Sequence, residues 1–186
     1  MFANKGLPSL VLFTDEERLG DPLAAARALP RGGAVVIRAR DPARRRDLAL
    51  SLLGVARSKG LALLIADDAR LALDLRISGA HFPEARIVEA ARAKARYPTL
   101  AVTCAAHSLR AVLSAQRAGA DAIFLSPVFA TASHPGRAAL TPLRASLIAR
   151  AATKPVYALG GVDARNVGRL SPTAFAGVAA VGALVA

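Results

Sequence analysis

The 186-residue chain has one cysteine, one methionine and no tryptophan, and aromatic side chains make up only 4% of it. The single thiol, Cys104, excludes an intrachain disulfide framework and fits a reducing compartment, so a cytoplasmic location is expected. Acidic residues are also scarce, 13 against 25 basic, for a formal net charge of +12 at pH 7. Such an imbalance suits an anionic partner (nucleic acid, an acidic membrane surface or a phosphorylated small molecule) or expresses an arginine-rich solvated surface. Nucleic acid is the less favoured of these, because stacking aromatics are few and no recognition motif is present. Long apolar runs are missing. The stretch Leu10 to Phe13 is too short for an export signal and is followed at once by Asp15, Glu16 and Glu17. The apolar tail Ala174 to Ala186 falls short of the ~20 residues that cross a bilayer and reads as a buried strand. No membrane association is expected.

What the chain has is a rhythm. Hydrophobic residues make up 54% and mean hydropathy is +0.38, enough to bury a sizeable core and to exclude disorder. Short apolar runs recur at Ser9 to Phe13, Ala34 to Ile37, Leu61 to Ile65, Gly79 to Phe82, Leu100 to Thr103, Ala122 to Leu125, Val156 to Leu159 and Gly177 to Val181. Runs of four to six residues without charge are the pattern of parallel strands covered on both faces. Helical segments are expected between them at Pro22 to Ala28, Pro42 to Ser58, Ala69 to Arg76, Glu84 to Arg96, Ser108 to Ala118, Pro142 to Ala151 and Ala164 to Leu170. Asp41, Ser108, Thr141 and Asp163 supply start signals for four of these. Eight strands alternating with helices predict a (β/α)8 TIM barrel, with a doubly wound open sheet as the alternative. At about 23 residues per unit against ~31 in an ordinary barrel, it is compact, its last helix missing or a stub. With no linker or low-complexity tract, residues 1–186 read as a single domain.

In a barrel the chemistry gathers where the strands end, so the residues there are the candidates. They include Thr14 and Asp15 after the first strand, Arg38, Arg40 and Asp41 after the second, and Asp67 and Asp68 after the third. Thr103, Cys104 and His107 follow the fifth, Ser126 and a long loop the sixth, and Gly160 and Gly161 the seventh. Arginine forks match phosphate oxygens, and paired glycines let backbone N–H groups approach an anion. A phosphorylated ligand is therefore expected, with its phosphate near the seventh and eighth loops.

The segment from Gly119 through Ala120, Asp121, Ser126, Pro127, Val128, Phe129, Thr131 and His134 to Gly136 resembles a segment of the thiamine phosphate synthases and the related TenI-type thiazole tautomerases. Val36 to Arg40, Leu64 to Asp68, Gly79 to Phe82, and Val156 to Val162 with Asn166 resemble further motifs of that superfamily, in the same order along the chain. The resemblance implies a compact barrel of thiamine biosynthesis that joins a hydroxymethylpyrimidine pyrophosphate to a thiazole phosphate and releases pyrophosphate. The alternatives within the superfamily are a thiazole tautomerase or a relative that only binds thiazole or thiamine phosphate. By position, Arg38, Arg40 and His134 would be the catalytic residues, with the two arginines on the pyrophosphate or pyrimidine. Thr131 and Ser133 would line the pyrophosphate loop. Gly160, Gly161, Val181 and Gly182 would hold the thiazole phosphate, Thr103 and His107 would add substrate contacts, and Asp67 would bind Mg2+. No organic cofactor is implied, and a homodimer is expected by analogy.

Departures from the pattern are specific. Val36 stands in place of the family's Gln, Arg40 in place of Lys, Ala66 in place of the Asn before the metal-binding Asp, and His134 in place of the loop Lys. Arg86 falls where the second metal-binding Asp would be, with Glu84 two positions away as the other carboxylate, and Pro127 takes the place of the tautomerase His. Several residues also have plain structural readings. Asp67 and Asp68 suit a helix start, His81 a packed barrel histidine, Cys104 a small buried hydrophobe, and Arg44, Arg45 and Arg46 a solvated face.

Overall fold

The computed structural model describes residues 8–131, 138–170 and 172–181. Eight parallel strands close into a barrel in sequence order: β1 Leu10–Phe13, β2 Ala34–Ile37, β3 Ala62–Ala66, β4 Gly79–Phe82, β5 Ala101–Ala106, β6 Ala122–Leu125, β7 Val156–Ala158 and β8 Gly177–Ala180. Closure comes from β1 against β8, with Val11 opposite Ala179. The expected (β/α)8 barrel is thus the observed fold.

Six α-helices connect the strands among the described residues: α1 Pro22–Ala28, α2 Pro42–Lys59, α3 Ala69–Asp74, α4 Ile87–Arg96, α5 Leu109–Arg117 and α6 Pro142–Arg150. Their starts obey side-chain capping. Asp21, Asp41, Asp68, Ser108 and Thr141 each accept a backbone N–H of the first turn, and proline sits at the first helical position of α1, α2 and α6. Gly60 ends α2 in the left-handed conformation. None of these helices is long and apolar enough to cross a membrane.

Beyond shifts of a residue or two at element ends, three segments differ from expectation, and the helix expected from Glu84 opens as a 3-10 helix at Glu84–Arg86 before α4. Ala164 to Leu170 is no α-helix: turns lead into a 3-10 helix at Val167–Arg169. Asp163 Oδ1 accepts the N–H groups of Arg165 and Asn166, an Asx turn that competes with helical hydrogen bonding, and Gly168 disfavours helix in the next turn. The fifth strand also runs three residues further than expected, to Ala106. The segment expected to hold a missing or stub helix, beyond residue 181, lies outside the described residues.

Strand side chains alternate between two cores, which is why the runs are continuously apolar. Leu12, Val35, Ile37, Leu63, Ile65, Val102, Ile123 and Leu125 pack in the cluster that includes the helices. Val11, Phe13, Ala34, Val36, Leu64, Ala66, Ala122, Phe124, Tyr157 and Ala179 form the second, inside the barrel. There Phe13, His81 and Phe124 meet edge to face with centroids 4.9–5.3 Å apart, and Tyr157 stacks on Phe124 at 5.1 Å. His81 Nδ1 lies 3.0 Å from Thr103 Oγ1, so the histidine is the packed, hydrogen-bonded residue its place in a strand suggested. Burial first, and the Arg38 charge second, push its pKa down to about 3, so it is neutral at physiological pH.

Candidate active site

A cavity of about 990 Å3 opens at the carboxyl ends of the strands. It is lopsided. Its walls come from the ends of β1, β2, β3, β6, β7 and β8, and none of its lining comes from β4 or β5. On that side the polar groups bond to one another. The His107 N–H donates to Glu84 Oε2 at 2.9 Å, and His107 Nδ1 lies 2.7 Å from the carbonyl oxygen of Ser126. A carbonyl only accepts, so Nδ1 carries the proton in that contact.

The β1–β2 wall is a network of opposed charges. Arg18 grips Asp15 through Nε and Nη2, at 3.2 and 2.5 Å, and Arg38 Nη2 reaches the same carboxylate at 3.4 Å. The Arg18 hydrogen bond, more than the charges of Arg18 and Arg38, holds the Asp15 carboxyl below its ordinary pKa against the opposing effect of burial. Thr14 Oγ1 ties the two strand ends, accepting the Arg38 N–H at 2.7 Å and donating to the Arg38 carbonyl at 3.0 Å. Burial also lowers the pKa of Arg38, with Asp15 and Asp67 opposing the shift. An ordinary value so far above neutrality leaves the guanidinium charged. Arg40, 86% exposed, pairs with Glu17 at 2.9 Å on the rim.

The wall that follows β7 is backbone. Gly160 and Gly161 have φ of +86° and +68°, a conformation that favours glycine. A Cβ on Gly160 would lie 2.8 Å from Pro127 Cα, and one on Gly161 would collide with the Ala130 carbonyl and lie 2.9 Å from Phe129 Cβ. Asn166 locks the turn from behind, donating from Nδ2 to the Gly161 carbonyl at 2.7 Å and accepting the Asp163 N–H at 3.0 Å. The N–H groups of Gly160, Gly161 and Val162 have no acceptor among the described residues. Successive free amides at a glycine turn form a concave anion cradle.

The expected residues therefore separate. Arg38, Arg40, Asp67, Thr131, Gly160, Gly161 and Val181 all line the cavity. Thr103 does not: it lies within the lengthened β5, fully buried against His81, which corrects its expected place at the mouth. His107 is likewise turned to Ser126 and Glu84 and is no part of the lining. His134, Ser133 and Gly182 lie outside the described residues. Cys104 is buried and its thiol is pushed up to about 12 by burial, which suits a small hydrophobe and not a nucleophile.

Arg45 was expected on a solvated face. It instead lines the cavity and donates from Nε and Nη2 to the Ala39 carbonyl, at 3.1 and 2.7 Å. Its place in the first turn of α2, just beyond the β2 end, was the available signal. Arg18, Glu16 and Glu17 also belong to the mouth, and their only signal was proximity to a strand end.

The magnesium expected on Asp67 finds a poor donor set. Arg86 Nη1 holds Asp67 Oδ1 at 3.2 Å and also lies 3.4 Å from the Asp67 carbonyl, while Arg86 Nε reaches Glu89 at 3.5 Å. Glu84, the other carboxylate near that position, accepts the main-chain N–H of His107. Among the described residues no three His, Cys, Asp or Glu side chains gather to hold an ion. Magnesium takes oxygen ligands at about 2.1 Å, and a guanidinium offers none and repels the ion. The described residues around Asp67 do not fit a resident metal.

Comparison with known proteins agrees with the architecture. The profile of the family described as thiamine monophosphate synthase matches residues 10–184. The chain belongs to that family. Thiamine-phosphate synthase of Chlorobium luteolum is 32% identical over 182 residues, covering 95% of this chain and 85% of that one. The corresponding protein of Chloroflexus aurantiacus is 34% identical over 163 residues, covering 83% and 74%. Among solved structures, thiamine phosphate pyrophosphorylase from Pyrococcus furiosus shares the fold with a TM-score of 0.79 at 22% identity, covering 96% of this chain and 87% of that one. Within that matched span, Gly160 and Gly161 sit in the cradle that Asn166 supports.

Proposed function

We propose that the chain is a thiamine phosphate synthase: a transferase of thiamine biosynthesis that couples a hydroxymethylpyrimidine diphosphate to a thiazole phosphate. The observation that carries the reading is the cavity with Arg38 on one wall and the free amides of Gly160, Gly161 and Val162 on the other, in a barrel of this family. In the reaction the C–O bond between the pyrimidine methylene and the diphosphate breaks, with both electrons leaving on oxygen. The thiazole nitrogen then gives its lone pair to the methylene carbon to form the new C–N bond.

The amide cradle takes the thiazole phosphate, which fixes where the ring nitrogen lies. Arg38 faces the diphosphate and takes up charge as it departs, its fork suited to phosphate oxygens. Arg40, out on the rim with Glu17, contributes attraction to approaching anions more than contact. Ala66, Leu159 and Val181 give the cavity an apolar floor that keeps water from the cationic carbon. A coupled assay for thiamine phosphate from the two substrates, run with and without Mg2+, tests the reading. Turnover under either condition supports it, and no turnover with no thermal shift by either substrate rejects it.

A relative that binds the thiazole phosphate without catalysis is the second reading, favoured by the coexistence of an intact cradle with an Asp67 carboxylate tied to Arg86. It predicts a thermal shift with thiazole phosphate and no product.

A further inference from the structure

Asp67 lies in the cavity wall with a positive φ of 61°, its N–H donating to the His81 carbonyl at 2.8 Å. Alone, that carboxylate would repel any phosphate ester entering the cavity. Arg86 meets it with Nη1 at 3.2 Å from Oδ1 and 3.4 Å from the main-chain oxygen, one cation against two oxygens of a single residue. Glu89, three residues along on α4, holds Nε of the same guanidinium from the other side at 3.5 Å. The two acids thus orient one arginine at the place where the donor set fails for magnesium.

We infer that Arg86 replaces a divalent metal at Asp67, so that the cavity takes diphosphate and phosphate esters without a bound cation. Of the two tasks of a metal at such a carboxylate, masking its charge falls to Arg86. Supplying net attraction falls to Arg38 and to the amides of Gly160, Gly161 and Val162. This rests on the reading of the cavity as a phosphate-ester site. It goes further by making that site metal-independent, in a family whose resemblance implied magnesium.

Calorimetry with inorganic pyrophosphate, in excess EDTA and then in millimolar Mg2+, reads the difference. Wild-type affinity should change less than about threefold between the two, and Mn2+ titrated alone should show no bound signal by electron paramagnetic resonance. Arg86→Gln, at a side chain that is 43% exposed and tolerant of change, unmasks Asp67. Its affinity in EDTA should fall about tenfold and recover when Mg2+ is added, while Arg86→Lys stays metal-independent. Wild-type pyrophosphate binding that requires Mg2+, or tight Mn2+ binding to the wild type, would overturn the inference and leave the phosphate-ester reading intact. An unchanged affinity of Arg86→Gln in EDTA would overturn it in the same way. Pyrophosphate binding absent under every condition would sink the phosphate-ester reading and this inference with it.

Discussion

Asn166 offers the sharpest test of the backbone cradle, because it touches the cradle only from behind. Its amide donates to the Gly161 carbonyl at 2.7 Å and accepts the Asp163 N–H at 3.0 Å. Asn166→Asp keeps the shape and the second bond, loses the first, and sets an anion against a carbonyl oxygen. Asn166→Ala loses both bonds and adds no charge. Each variant leaves a part-buried polar group without its partner, at about 2 kcal/mol of stability, which for a chain of this length lowers Tm by about 4–8 °C. Affinity should separate the two. A carboxylate behind the Gly161–Val162 peptide repels a phosphate on its amide side by about 1 kcal/mol after solvent screening, roughly fivefold in Kd beyond the alanine variant. Thermal melts and calorimetry with the thiazole phosphate measure both effects. Equal losses of affinity in the two variants would refute the assignment of the phosphate to these amides, since charge would then be irrelevant at that turn.

The two arginines after β2 should behave differently despite their spacing. Arg38→Gln is expected to weaken pyrophosphate binding about tenfold by calorimetry, the scale of a lost charge-assisted hydrogen bond, whereas exposed and paired Arg40→Gln should change it less than about threefold. His81 makes stability depend on pH in a defined direction. Its folded pKa of about 3 lies below an unfolded value near 6.5, so the unfolded chain binds more protons between those limits and stability falls as pH drops through that window. About 2 kcal/mol should be lost between pH 6.5 and pH 5, read as the Tm difference between wild type and His81→Asn, whose own profile should be flatter across that interval.

Strand positions were legible because burial on both faces writes an uninterrupted apolar run, and every one of the eight runs became a strand. Strand ends were less so. The β5 run continues through Cys104, Ala105 and Ala106, which small size makes indistinguishable from a loop, and this misplaced Thr103 at the mouth when it belongs to the interior. The segment after Asp163 carried a helix start signal, but Asp163 and Asn166 bond each other's backbone and spend that signal on an Asx turn. Of the site, Arg38, Asp67 and the Gly160–Gly161 pair could be read from position within the rhythm. The pairing of Asp67 with Arg86, and the return of Arg45 to Ala39, depend on where a long flexible side chain lays its head, which spacing does not encode.

The packed interior of Phe13, His81, Phe124 and Tyr157 has a kinetic consequence. With the lumen filled by these side chains, no route runs along the barrel axis among the described residues. For a reaction of two substrates and two products, entry and exit then share the face at the strand ends, and a component seated deeper is expected to arrive first and depart last. Sequence of binding becomes a matter of depth, which product-inhibition patterns record directly.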